Sequence, residues 1–162
     1  MITGRGLAYF QYCHHDSVLT YLVRVIQGLH EVRPKDVAAI AVGPLLFWTY
    51  LPLGSFVRRG LVRFVANLPI PTEAQSFPLL RNDTGTDATG LVHWWVILGR
   101  GDRGEKKLLR HVRILSPEEQ QISISQLPSP AYFLELIENQ SRPEGDPMTI
   151  RSVKYWSAKN KG

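Results

Sequence analysis

The sequence has a single cysteine, Cys13, so no internal disulfide can form and the fold must hold by packing. That cysteine usage suits a reducing compartment, and a cytoplasmic location is expected. No second group of Cys or His stands at metal-ligand spacing. His30, His93 and His111 are scattered, so no metal or other cofactor is expected. Nor do the carboxylates pair into a catalytic pattern. Glu118 and Glu119 adjoin at a helix start, while Asp83, Asp87 and Asp102 fall in loop-like stretches. General acid–base chemistry needs groups held together in an enclosed pocket, so the chain is read as a non-enzyme. The opening MITGRGLAYFQYC lacks the basic segment, apolar run and small-residue site of a signal peptide. The longest uncharged run, from Val37 to Val57, is broken by Gly43-Pro44 and Pro52 and diluted by Thr49, Tyr50 and Ser55. It reads as a Gly-Pro turn between two short apolar strands, and no membrane association is expected. Internal repeats and low-complexity tracts are absent.

The chain has 162 residues, 44% of them hydrophobic and 20% charged, which suffices for one packed core and excludes a mainly disordered protein. The net charge is +5. Residues 141–162 hold five basic and two acidic side chains, so they carry +3 and leave only +2 for the first 140. A body this balanced lacks the clustered positive charge of a broad DNA-binding face, and nucleic acid is disfavoured as a partner. The expected organisation is one mostly-β domain over 1–140 and a basic tail over 141–162.

Aromatic and β-branched residues fill Gly6–Cys13 and Val18–Ile26, with a polar break, HHDS, between them. The pair reads as a β-hairpin. On the second strand Leu19, Tyr21, Val23 and Val25 form the expected core face. Residues 37–42 suit either a short helix or a strand. LLFWTY, from Leu45 to Tyr50, reads as a buried strand, and LVRFVAN, from Leu61 to Asn67, as another. The segment 72–80 is a connection with Phe77 and Leu79 turned inward. RNDTGTDATG, from Arg81 to Gly90, has almost no apolar content and reads as a solvated loop. Leu91–Leu98 is a strand, GRGDRG its reversal, and Lys107–Leu115 the returning strand. Ser116-Pro-Glu-Glu has the signature of a capping box, with one helical turn and then a strand through Ile122 and Ile124. Ser129-Pro130 caps a helix that places Tyr132, Phe133, Leu136 and Ile137 on one side. The fold class expected is mostly β: a strongly bent antiparallel sheet or small SH3-like barrel, with a short C-terminal helix.

Three stretches invite chemistry. Cys13-His14-His15-Asp16-Ser17 concentrates reactive side chains, but neighbours on a strand end diverge and supply at most two ligands, so a polar turn is the better reading. GRGDRG lacks the strand-then-helix context of a phosphate loop and reads as a hairpin tip. Arg58, Arg59 and Arg63 form one basic patch, and Lys106, Lys107, Arg110 and Arg113 another. Beside Trp48, Trp94 or Trp156 these would suit a single-stranded nucleic acid, the alternative function retained here.

Several pieces, taken in order, resemble one family. They are GLAYFQY, TYLVRVIQG, LLFWTYLPL, RRGLVRFVANLPIP and QSFPLLRND, then the double tryptophan followed by LSPEEQQISI. Over residues 5–138 this order is similar to the Imm26 family of bacterial immunity proteins. The resemblance implies a mostly-β intracellular protein that neutralises a cognate polymorphic toxin by binding and blocking it. Immunity proteins facing nucleases are often acidic, whereas this chain is basic, so a toxin with an acidic surface, or one of a different class, fits better. The contact surface expected is projecting hairpin tips and one sheet face, with Arg100, Asp102 and Arg103, and Asp83 and Asp87 of the polar loop, as its residues. Trp94 and Trp95 lie on opposite faces of one strand, and both faces are apolar. Trp95 is therefore expected in the core and Trp94 under a cover. A bare Trp94 would instead be the first place to look for a partner.

Overall fold

A computed structural model describes residues 1–16, 19–89, 91–100 and 106–159, except the side chains of Ile2 and Lys106. The chain divides into two compact units, Met1–Phe77 with Gln126–Ser141, and Pro78–Ser125 with Arg142–Gly162. One unit boundary falls between Ser141 and Arg142, beside the one expected at 140, and the residues before it are divided between the two units. The segment read as a tail supplies a helix to the second unit.

The first unit opens on two short strands, β1 (Ile2–Thr3) and β2 (Gly6–Leu7). Gly6 has φ +137, and a Cβ there would lie 2.8 Å from the His30 carbonyl oxygen, so only glycine fits. A three-stranded antiparallel sheet follows, in the order β3 (Phe10–Asp16), β4 (Thr20–Ile26), β5 (Leu45–Leu51). The expected hairpin is present, but its first strand runs through the HHD of the supposed turn to Asp16. Ser17 and Val18 lie outside the described residues. Every residue from Leu22 to Ile26 is buried, because β4 is the central strand and both of its faces are covered. The face expected to be the core side is thus only half of what β4 buries.

One face carries Val23 and Val25, packed with Phe47, Leu51, Phe56, Val62, Phe133 and Ile137. Phe133 comes from α5 (Pro130–Glu138), where Ser129 caps the helix by accepting from Tyr132 N–H as the sequence predicts. Its ring meets those of Phe10, Phe47 and Phe56 edge-on at 5.9–6.4 Å. The other face carries Arg24, fully buried, whose Nη2 donates to the Gly43 carbonyl at 2.7 Å. Residues 37–42 resolve as a helix, α1 (Val37–Ala41), capped by Asp36, which accepts from Ala38 and Ala39 N–H. The chain at Gly43-Pro44 therefore passes from helix to strand, not between two strands.

Two further short helices, α2 (Leu53–Arg58) and α3 (Thr72–Gln75), flank the stretch read as the strand LVRFVAN. That stretch is not a strand. It is irregular from Val62 to Pro71, with Val62 buried and residues 63–67 exposed. Its β-propensity is unmatched because no neighbouring strand supplies a ladder. Phe77 is half-buried as expected, whereas Leu79 is exposed.

The second unit is a four-stranded sheet in the order β8 (Lys106–Val112), β7 (Trp95–Arg100), β6 (Leu80–Asp83), β9 (Ser123–Ile124). The β7–β8 and β6–β7 pairs are antiparallel and β6–β9 is parallel. Both main sheets are open, and no described strand closes either into a barrel. With helices as prominent as strands, the fold is mixed α/β, and mostly β only loosely. The capping box at 116 forms in full on α4 (Pro117–Gln120): Ser116 accepts from Glu119 N–H, and Glu119 accepts from Ser116 N–H.

A turn of 3-10 helix at Pro143–Gly145 precedes α6 (Pro147–Lys159). Asp146 accepts from Thr149 N–H at 3.0 Å and caps α6, with Pro147 opening the helix. This is the same cap-then-proline pattern as at Ser116 and Ser129, so the signal was in the sequence. The helix buries Thr149, Ser152 and Trp156 and leaves Ile150 and Tyr155 exposed. Among the described residues no helix is long and apolar enough to cross a membrane.

Arg81 is the main departure from the sequence reading. Placed there in a solvated loop, it sits on β6 with no exposure at all. Its Nε donates to the Ile122 carbonyl at 2.7 Å, and its Nη1 to Thr149 Oγ1 at 2.9 Å. Its Nη2 donates to the carbonyls of Pro143 at 2.8 Å and Gln120 at 3.2 Å. The guanidinium also stacks 4.6 Å from the Trp95 ring. Burial pushes its pKa down to about 10, while the carboxylates of Asp146 and Glu144 act in the other direction.

Candidate partner-binding site

Trp95 and Trp94 separate as a strand start requires. Trp95 is 1% exposed, in a core with Val92, Ile97 and Leu115. Trp94 is 40% exposed, and the expected cover is missing. The Arg113 guanidinium lies 4.5 Å from the Trp94 ring and 4.8 Å from that of Trp156. A cation held between two indole faces is favourable by about 0.5–1 kcal/mol per contact at exposed sites. The register explains why Arg113 is there. Trp95 pairs with Val112, so one step back sets Trp94 opposite Arg113 across the hairpin.

Helix α6 completes the surface. Trp156 is buried, and its Nε1–H donates to the Val92 carbonyl at 3.2 Å. Tyr155, 45% exposed, packs edge-on against it. Lys159 Nζ lies 5.6 Å from the Trp156 ring and 6.0 Å from the Tyr155 ring. His93 also stands edge-on to Trp156, with ring centroids 5.8 Å apart. The face thus alternates exposed aromatics with cations. Among the described residues Arg113, Lys154 and Lys159 have no carboxylate partner.

Of the residues chosen from sequence, Asp87 and Trp94 belong to this region, but in different roles. Asp87 organises its own loop. Its Oδ1 accepts from Thr89 N–H, the Thr89 hydroxyl and Leu91 N–H, and its Oδ2 lies 3.1 Å from His93 Nε2. The Thr89 hydroxyl and the Leu91 amide hold its carboxyl well below the usual carboxylate range. Asp83 is half-buried and closes a turn by accepting from Gly85 N–H at 2.8 Å. Both acids hold backbone N–H groups of their own loop. Arg100 is exposed at the far end of β7, about 17 Å along the strand from Trp95 at strand rise. Asp102 and Arg103 lie outside the described residues. Sequence reading set Arg113 in a basic patch beside Trp94 or Trp156, but missed His93, Tyr155 and Lys159 as members of the same face. Counting the register back from the tip would have set Trp94 opposite Val112; the irregularity between Ile97 and Leu98 brings Arg113 there instead.

The reactive cluster at 13–16 is built into β3. Cys13 is buried at an irregularity in the β3–β4 register, and burial pushes its thiol up to about 11. His14 packs between Trp48 and Phe77. Asp16 accepts from Leu19 N–H and from the Tyr50 hydroxyl, and burial, with the Asp16 charge, raises the Tyr50 pKa. Among the described residues no group of three or more His, Cys, Asp or Glu is placed to hold a metal ion. The chain matches no protein-family model, no curated protein and no solved structure.

Proposed function

We propose that this chain acts by binding rather than by chemistry, as an immunity protein that neutralises a cognate bacterial toxin by direct occlusion. Its contact surface is the Trp94 face of the second unit. The observation that carries the reading is the exposed Trp94, stacked on Arg113 beside Tyr155 and Lys159. Trp, Tyr and Arg are the residues that most often dominate binding energy at protein interfaces. A face whose Arg113, Lys154 and Lys159 have no carboxylate partner among the described residues suits a toxin with an acidic surface.

The test is co-expression with the toxin encoded beside the gene. Wild type should restore growth, and Trp94→Ala should weaken toxin affinity by about 30-fold, the effect of a 2 kcal/mol hot spot. No rescue from any neighbouring toxin, or full affinity in Trp94→Ala with Arg113→Ala, would overturn the reading. One observation favours a second reading. Exposed rings interleaved with cations also suit single-stranded nucleic acid, by stacking and backbone neutralisation. That reading requires binding that falls steeply with salt, and absence of binding at low salt disposes of it.

A further inference from the structure

The first unit contains a groove of about 250 Å³ that the function proposed above does not use. One wall is β3 at Phe10–Tyr12, and the other is the irregular segment at Val62–Leu68. β3 is an edge strand of its sheet. Ile26 N–H donates to the Tyr9 carbonyl, so Tyr9 and Gln11 direct their backbone groups at β4. In an antiparallel ladder the alternate residues face the other way, so Phe10 and Tyr12 present N–H and C=O to the groove. Across it, the N–H groups from Arg63 to Leu68 donate to no described residue. At its far end Gln11 Nε2 donates to the Leu68 and Pro69 carbonyls, and Gln75 Nε2 to that of Ile70. The Gln11 amide oxygen itself is buried and has no hydrogen-bond partner among the described residues.

Natural edges are usually blunted by lysine, proline or a covering loop. Here the edge carries Phe10, Gln11 and Tyr12, and the opposite wall carries Phe64, 82% exposed, and Val65. Unpaired backbone on an edge strand is complementary to another extended backbone. Charge narrows the occupant further. Arg63 lines the groove, Arg58 and Arg59 follow the lining residue Val57, all three are exposed, and none has a carboxylate partner among the described residues.

We propose that this groove takes an extended segment of a protein partner, with apolar and acidic side chains in alternation, added as a strand to the outer edge of β3. Apolar side chains would pack on Phe64 and Val65, and acidic ones would meet the three arginines.

The test pans a phage-displayed heptapeptide library against the full chain, with an Arg58→Glu, Arg59→Glu, Arg63→Glu variant as counter-target. These arginines are exposed, so the variant should keep the wild-type circular dichroism spectrum. Enriched peptides should alternate apolar residues with Asp or Glu and lose at least tenfold in affinity for the variant. N-methylation of a synthetic hit should weaken binding tenfold or more at every second position and leave the intervening positions unchanged. Amide exchange at Phe10 and Tyr12 should slow on binding, with Gln11 unaffected. The proposal is overturned by enrichment no greater than on the variant, by hits without period-two methylation sensitivity, or by binding that leaves the Phe10 and Tyr12 amides unprotected. It is equally overturned if the chain pairs with itself along β3, since the occupant is then a second copy.

Discussion

Replacing Arg81 with methionine should destabilise the second unit by about 3–5 kcal/mol, because it leaves several buried acceptors without a donor at about 1–3 kcal/mol each. The side chain makes four hydrogen bonds, three to carbonyls and one to Thr149 Oγ1. At about 1.5–3 kcal/mol for each bond to a charged group, simple addition would exceed that range. Two effects reduce it. Desolvating the guanidinium is costly, as its lowered pKa reflects, and bonds sharing one donor group are not additive. Methionine fills similar space and restores the contact with Trp95. The loss would therefore report mainly the acceptors left dry: the carbonyls of Gln120, Ile122 and Pro143, and the Thr149 hydroxyl. Arg81→Lys keeps the charge but reaches fewer acceptors, and should fall between the two. Urea unfolding followed by tryptophan fluorescence is the assay, because Trp95 lies under the guanidinium. A loss below about 1 kcal/mol, comparable to a single ordinary hydrogen bond, would refute the reasoning. So would a methionine variant more stable than wild type.

Phe133→Ala should cost about 3–5 kcal/mol, since it empties the centre of a core where three other rings converge; thermal unfolding measures it. Ser116→Ala should cost about 1 kcal/mol by opening the capping box, measured by urea titration. Cys13 should react slowly with iodoacetamide at pH 8 in the folded protein and quickly in urea, because the thiol is buried and its pKa is pushed up to about 11. The folded state keeps a proton that the unfolded state releases above its ordinary pKa near 9. Stability should thus fall as pH rises from about 9 to 11, and Cys13→Ala should remove that part of the fall. An equal labelling rate in both states would contradict the burial. Asp87→Asn should speed amide exchange at Thr89 and Leu91, whose N–H groups the carboxylate now holds; unchanged exchange would show that the loop is ordered by other contacts.

The sequence by itself determined what depends on a few consecutive residues. The caps at Ser116 and Ser129 were legible because a serine, a proline and a nearby N–H settle them within one helical turn. The hairpin strands, β5 and the burial of Trp95 followed from runs of apolar and β-branched residues. The Asp146-Pro147 cap was equally local and went unread because the surrounding charge suggested a tail. Other features needed the tertiary structure. The groups that bury Arg81 come from residues 120, 122, 143 and 149, which meet only when β6, β9 and α6 assemble. In sequence, an arginine before Asn-Asp looks solvated, because charge predicts exposure unless the partners are known. LVRFVAN has a strand's composition but pairs with no strand, since it faces the edge of β3 only across a groove, and pairing is a property of neighbours. The Trp94 face likewise joins the hairpin to α6 through Arg113 and Trp156. Its exposure was decided by what does not pack over it, and no local pattern encodes that.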